Sequence, residues 1–337
     1  MKEYIHGGDI YRHPDVLDFS ANINPLGTPP AVVQAAKDSM EWICHYPDAC
    51  QEKLKQALAA YEQVPVEWLI CGNGAAELIF ALVQAVKPKR ALVMAPTFAE
   101  YAQALEAVGC EVDRDILKKE DGFTLQRTIL EKLQKEDLQM VFLCNPNNPT
   151  GILINPKLLR EIVTICEKRN IYLIVDECFL DFVSEPEVHT LKGELEGKQY
   201  LFLLKAFTKR YAMAGLRLGY GITSSETLME KMEQQLQPWN VSMPAQEAGV
   251  AALKETAYVE KARERIFQEQ AFLKDGLKAC GYPVLDSQAN YVFFEGEPDL
   301  YEKLLEEGVM IRDCSNYTGL WKGCYRIAVK LHNENEQ

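Results

Sequence analysis

The segment Thr208-Lys209-Arg210-Tyr211-Ala212-Met213-Ala214-Gly215-Leu216-Arg217 sets an amine and a guanidinium eight positions apart, directly after an apolar run. A lysine at the end of a buried strand is partly desolvated. That favours its neutral, nucleophilic form and suits it to imine formation with a carbonyl. An arginine held at a fixed distance can grip a phosphate through two parallel hydrogen bonds. Lysine near arginine is also common on solvated surfaces, so this segment alone is only suggestive. Lys205 is a rival amine, but position 213 is Met, so it lacks an arginine at the same spacing.

Three further segments carry groups that could complete such a site. Cys71-Gly72-Asn73-Gly74-Ala75-Ala76-Glu77 is glycine-rich and opens into an apolar helix. The free N–H groups of a helix start suit a phosphate, although a tight turn explains the glycines equally well. Asn145-Pro146-Asn147-Asn148-Pro149-Thr150-Gly151 comes after an apolar strand, and its prolines fix a loop that presents asparagines. Val175-Asp176-Glu177 ends the next strand on a carboxylate. An acid there is either exposed at the sheet's end or paired with a cation, and a pyridinium nitrogen would be such a cation. Neither GxxxxGK[ST] nor GxGxxG occurs, which argues against a nucleotide-binding protein.

The elements that must position these groups alternate. Apolar β-rich runs at 91–94, 140–144, 171–175 and 200–204 are separated by helical periodicity at 75–86, 99–108, 125–134 and 156–168. This alternation predicts an α/β fold with a mostly parallel sheet flanked by helices. Beyond Pro238 come amphipathic helices at 245–255 and 259–280 and short strands near 291–294, 309–311 and 325–329, read as a smaller α/β domain. The expected division is an N-terminal arm and part of the small domain at 1–45, with a helix at 31–44, a large domain at 46–238 and a small domain at 239–337. The last residues, 331–337, look like the acidic first turn of a helix that stops as it starts, which leaves open a small domain without a final helix.

Composition bounds the class. Hydrophobic residues make up 47% and charged residues 25%, as in ordinary globular proteins. A net charge of −13 argues against nucleic acid as a partner. The ten cysteines form no CxxC pair and are read as reduced, mostly buried thiols. The N-terminus lacks the apolar core of a signal peptide, and no stretch is long enough to span a membrane, so a cytoplasmic protein is expected.

In order and spacing, GNGAAE, PTF, NPNNPTG, VDE and TK…GLRLGY resemble the fold-type I aminotransferase superfamily, the similarity extending over nearly the whole chain. The resemblance implies a pyridoxal 5′-phosphate enzyme of the fold type I transferase architecture. Lys209 would carry the cofactor as a Schiff base and serve as acid–base at the substrate Cα. Asp176 would keep the pyridine nitrogen protonated, Asn148 would bond the ring 3′-oxygen and Phe98 would stack on the ring. Gly74, Ala75, Thr208 and Arg217 would hold the cofactor phosphate. Tyr46 would reach the phosphate of a neighbouring subunit, implying a homodimer with shared active sites. Arg326 would bind the substrate α-carboxylate, a salt-bridged strand arginine being the alternative. Two positions depart from the pattern: the hydroxyl residue three before the lysine is Ala206, whose contact Lys205 or water could replace, and the tyrosine three after the aspartate is Phe179.

Within that superfamily, His6-Gly7-Gly8-Asp9, the 18–27 stretch DFSANINPLG, the 237–242 stretch QPWNVS and the 311–320 stretch IRDCSNYTGL are similar to the L-threonine-O-3-phosphate decarboxylase family. Membership would imply a lyase of cobalamin biosynthesis that releases (R)-1-aminopropan-2-yl phosphate. Histidinol-phosphate aminotransferase is the sister family and the alternative, and a non-catalytic pyridoxal-phosphate-binding protein is the third reading. Both enzyme substrates carry a phosphate ester, so a second anion site is expected. Arg312 is the first candidate for it, with His6, Asn22 and Asn240 as secondary ones.

Overall fold

The structure is a computed structural model that describes residues 6–337. Its centre is a seven-stranded sheet in the order Leu69–Gly72, Gly219–Ile222, Leu201–Ala206, Tyr172–Asp176, Met140–Cys144, Arg90–Ala95, Glu111–Ile116. The last five of these run parallel, while Gly219–Ile222 is antiparallel to both its neighbours. Met140–Cys144 and Leu201–Ala206 are buried at every position, as expected of strands covered on both faces by helices.

Local signals explain most of the expected helices. Pro156–Arg169 starts where Asn155 Oδ1 accepts from the N–H groups of Lys157 and Leu158, at 2.9 and 3.3 Å, with proline in the first turn. It stops at Asn170, whose φ of 57° lies in the left-handed region. The 125–134 periodicity yields only the short Ile129–Lys132 helix. Leu125, Ile129 and Leu133 are all buried, so the apolar spacing reports burial of a face and not helix length. The helix expected at 31–44 is Pro30–Ser39 followed by a single 3₁₀ turn, Met40–Trp42.

A smaller antiparallel sheet orders Arg312–Asp313, Cys324–Ala328 and Tyr291–Glu295, and Leu17–Asp18 pairs in parallel with Val309–Met310. Two apolar clusters result. One surrounds the large sheet; the other joins Phe19, Phe182, Ile266, Tyr291, Phe294 and Ile327. Val32, Val241, Ala245 and Ala248 belong to the first cluster. The expected boundaries at 45/46 and 238/239 therefore do not coincide with the division of the core. The two clusters do not follow chain order: Phe19, Phe179 and Phe182 join the second, Phe293, Cys314 and Cys324 the first, and within the long Thr256–Ala279 helix Val259 joins the first and Ile266 the second. At the other end, the expected turn is the His332–Asn335 helix, where Asn335 Nδ2 donates to Glu269 at 3.0 Å.

All ten cysteines are unpaired, and seven of them are buried. Among the described residues no helix is long and apolar enough to cross a membrane.

Candidate active site

Parallel strands point their carboxyl ends the same way, so the segments that come after them converge at one edge of the sheet. Phe98, Asn148, Asp176 and Lys209 meet there and line a cavity of about 300 Å³. Ala75, Thr208 and Arg217 line the same cavity, as do Asn22, His6, Arg312 and Arg326. Residues scattered over the whole sequence thus share one concave site.

Lys209 is set for nucleophilic chemistry. Burial drives its ammonium group towards neutrality, and the nearby Arg326 and Arg217 add repulsion, pushing its pKa down to about 8. Its Nζ lies 5.8 Å from the centroid of the Phe179 ring. Phe179 thus supplies apolar cover where a tyrosine would have supplied a hydroxyl.

Lys205 has the opposite environment and is not among the cavity-lining residues. Its Nζ sits 3.4 Å from Glu62 Oε1 and 3.6 Å from Glu177 Oε2. Although burial opposes the charge, these carboxylates raise its pKa above the ordinary lysine value. Burial also pushes Glu62 up, but Lys205, Arg210 and the Tyr220 hydroxyl outweigh it and hold Glu62 down to about 2. Lys205 is therefore a locked structural cation and does not replace the contact missing at Ala206. Lys205→Met is expected to cost about 3–5 kcal/mol of stability by leaving buried carboxylates uncompensated. A lowered urea midpoint with unchanged slope would show it.

Asp176 is 7% exposed. Its Oδ1 accepts from the Cys178 N–H at 2.9 Å and its Oδ2 from the Tyr101 hydroxyl at 2.5 Å. Burial raises its pKa, and these two bonds and Lys209 pull against that rise. Phe98 stands edge-on to Tyr101, with ring centroids 5.6 Å apart.

The glycine-rich segment forms a cradle. Gly74 precedes the Ala75–Val86 helix with φ of 83°, and no side chain caps that helix start. A Cβ at Gly74 would lie 2.4 Å from Arg217 Nη2, so only glycine lets the guanidinium approach the helix terminus this closely. Gly219 is constrained in the same way, because a Cβ there would lie 2.4 Å from the Ala75 nitrogen. Uncapped N–H groups, the Thr208 hydroxyl and Arg217 make a donor set that fits a phosphate monoester.

Arg326 is 5% exposed, donates from Nη1 to Asn148 Oδ1 and from Nη2 to the Ser20 carbonyl at 2.8 Å, and lies over the Tyr291 ring. No carboxylate pairs with Arg326 among the described residues, which sets aside the salt-bridged alternative. Because Asn148 Oδ1 is taken by Arg326, its NH₂ group is left for the cavity. Arg312 is 9% exposed; it donates to Asn316 Oδ1 at 2.9 Å and to the Asp313 carbonyl, and lies over the Tyr317 ring. Asn22 Oδ1 is buried and makes no hydrogen bond among the described residues. His6 Nε2 lies 3.0 Å from Glu100 Oε1.

Three candidates are not among the cavity-lining residues: Asn240, Tyr46 and Gly74, the last of which lies against Arg217. Asn240 Nδ2 donates to Glu77 Oε2 at 2.7 Å and to the Cys71 carbonyl at 3.3 Å, so it braces the glycine-rich turn from behind. Tyr46 is 77% exposed and stacks on Trp239, 4.4 Å away. Tyr101, Glu100 and Tyr317 line the cavity without having been singled out from the sequence. Glu100 and Tyr101 lie just after Phe98, in the Ala99–Ala107 helix.

A lysine driven towards neutrality, a buried aspartate and a phosphate cradle on this sheet define a fold-type I pyridoxal-phosphate enzyme. The chain belongs to the aminotransferase class I and II family, whose pattern residues 14–337 match. It is 41% identical to threonine-phosphate decarboxylase of Salmonella typhimurium, over 98% of this chain and 94% of that protein. It is 33% identical to histidinol-phosphate aminotransferase of an Anaeromyxobacter species, over 97% and 90% respectively. Among solved structures, histidinol-phosphate aminotransferase of Clostridium acetobutylicum superposes with a TM-score of 0.88 at 30% identity, over 95% of this chain and 96% of that one.

Proposed function

We propose that the chain binds pyridoxal phosphate and decarboxylates L-threonine O-3-phosphate to (R)-1-aminopropan-2-yl phosphate. In this reading the Ala75 helix terminus, Gly74, Thr208 and Arg217 hold the cofactor phosphate, Phe98 covers the ring, and Asp176 faces its nitrogen. The NH₂ of Asn148 serves the 3′-oxygen, and Lys209 is the amine that carries the cofactor. When bound, pyridoxal phosphate supplies an electron sink for whichever Cα bond stands perpendicular to its ring. The protein's task is to choose that bond. Arg326 takes the substrate carboxylate, while Arg312, aided by His6 and Asn22, takes the substrate phosphate. Two anchors fix rotation about the bond from nitrogen to Cα, a use of remote binding energy for orientation. Lys209, with its pKa lowered to about 8, can then hold or return a proton at Cα.

The observation that carries this reading is the pair of buried arginines, Arg312 and Arg326, which line the same cavity as Lys209 and Arg217. They suit a substrate with two anionic groups. The test is to incubate the purified enzyme with O-phospho-L-threonine and trap carbon dioxide. Amino transfer from glutamate to imidazole-acetol phosphate without gas would select the aminotransferase alternative. Arg312→Met is expected to raise KM for phosphothreonine about 30-fold or more while changing kcat less, since it removes a buried partner for a dianion.

The exposed Met40, Trp42, Ile43, Tyr46 and Trp239 suit coverage by a second copy of the chain, which would bring Tyr46 to the neighbouring cradle. Sedimentation of the purified protein at twice the chain mass would support this.

A further inference from the structure

The phenol of Tyr101 does more than fill space beneath the ring. It is fully buried, stacked on Phe142 with centroids 4.9 Å apart and an interplanar angle of 12°, so its position is fixed by packing. Its hydroxyl meets Asp176 Oδ2 at 2.5 Å. Burial and the neighbouring carboxylate push the phenol's pKa well above its ordinary value, so the proton stays on tyrosine and the carboxylate accepts it. The Cys178 N–H occupies the other oxygen, Oδ1, at 2.9 Å. Each oxygen of Asp176 therefore already accepts one bond before any cofactor nitrogen is considered, and the carboxylate cannot turn without breaking both.

A carboxylate that accepts hydrogen bonds is a weaker base than a bare one. Facing a pyridine nitrogen, the weaker base leaves the shared proton on the ring. We propose that Tyr101 is a positioning residue that holds Asp176 in one rotamer and lowers its basicity, so that the cofactor nitrogen stays protonated. This rests on the pyridoxal-phosphate reading of the cavity and adds to it a group that acts through Asp176.

The test uses holoenzyme reconstituted with pyridoxal phosphate labelled with ¹⁵N in the ring, with the ring-nitrogen chemical shift as the readout. Tyr101→Phe keeps the packing against Phe142 and removes only the hydroxyl. Its ring-nitrogen signal is expected to move towards that of unprotonated pyridine, and its cofactor dissociation constant to rise about tenfold, the size of one hydrogen bond to a charged group. Incorporating 3-fluorotyrosine at position 101, a more acidic phenol and stronger donor, is expected to move the signal the opposite way, and decides the matter alone if Tyr101→Phe does not fold. A nitrogen signal unchanged in both loaded variants overturns the role of Tyr101. Wild-type protein that retains no pyridoxal phosphate overturns the reading on which it rests as well.

Discussion

Replacing Lys209 by alanine is expected to reduce carbon dioxide release from O-phospho-L-threonine by about 10³-fold or more, the loss of both a nucleophilic amine and a proton-transfer group. Bound cofactor should also be lost more readily on dialysis. A second consequence separates a catalytic lysine from a structural one. Burial and the two arginines hold the Lys209 pKa down to about 8, from an ordinary value near 10.5. Between those two values the unfolded chain binds more protons than the folded one, so stability of the cofactor-free protein rises with pH across that window. Below about pH 8 the cost of burying this amine is fully present, and above about pH 10.5 it is gone. Lys209→Met, which removes the charge and keeps most of the volume, should stabilise the cofactor-free protein by about 1–3 kcal/mol at neutral pH, with the gain fading towards pH 10.5. Urea titrations at three pH values measure this. A Lys209→Met protein destabilised at every pH would mean the side chain serves packing.

Asp176→Asn should produce the second largest loss. Asparagine keeps the outline of the side chain and can still accept one of the two bonds now made by Cys178 and Tyr101. It cannot carry the negative charge that a protonated ring nitrogen requires. A fall in kcat of about 10²-fold or more is expected, with KM for phosphothreonine little changed, because the substrate's anionic groups are assigned to Arg312 and Arg326. Equal losses in kcat and kcat/KM are the signature of an interaction that matters in the transition state. A rise in KM alone would show instead that Asp176 acts on substrate binding. Cofactor affinity should fall with kcat, since the same charge serves both.

Lys209, Asp176, Asn148 and Phe98 were readable in the sequence because each lies at or just beyond the end of an apolar run, and parallel strands bring such positions to a common edge. Gly74 and Arg217 were readable as phosphate-binding types, and the close approach of the guanidinium to Gly74 supplies the steric reason for that glycine. Tyr101 was not readable as more than a helix residue. Its importance depends on meeting Asp176, which lies on a strand far along the chain. Asn240 was read as facing substrate because it sits in a polar segment that resembles the decarboxylase family. In this chain Glu77 and Cys71 claim its amide, so it braces the glycine-rich turn. The domain boundaries were drawn where composition changes, yet each cluster draws residues from both sides of them, because packing joins side chains through space and a continuous helix such as Thr256–Ala279 can contribute to both.

The two lysines show where the boundary between sequence and structure falls. Apolar periodicity and turn chemistry are local, so the sequence by itself placed Lys205 and Lys209 both just beyond the apolar run at 200–204, and the structure extends that strand to Ala206, taking in Lys205 and leaving Lys209 past its end. Which of them is pushed towards neutrality is an electrostatic sum over groups that only folding brings near. Glu62 and Glu177 surround Lys205 and keep it charged. Burial beside Phe179, Arg326 and Arg217 works against the charge on Lys209. The same holds for Asp176, placed by its strand but given its two bonds by Cys178 and Tyr101. Position along the chain was set by short-range patterning. Protonation state and orientation were decided by tertiary structure, because charges and hydrogen bonds act through space and are strongest where water is excluded.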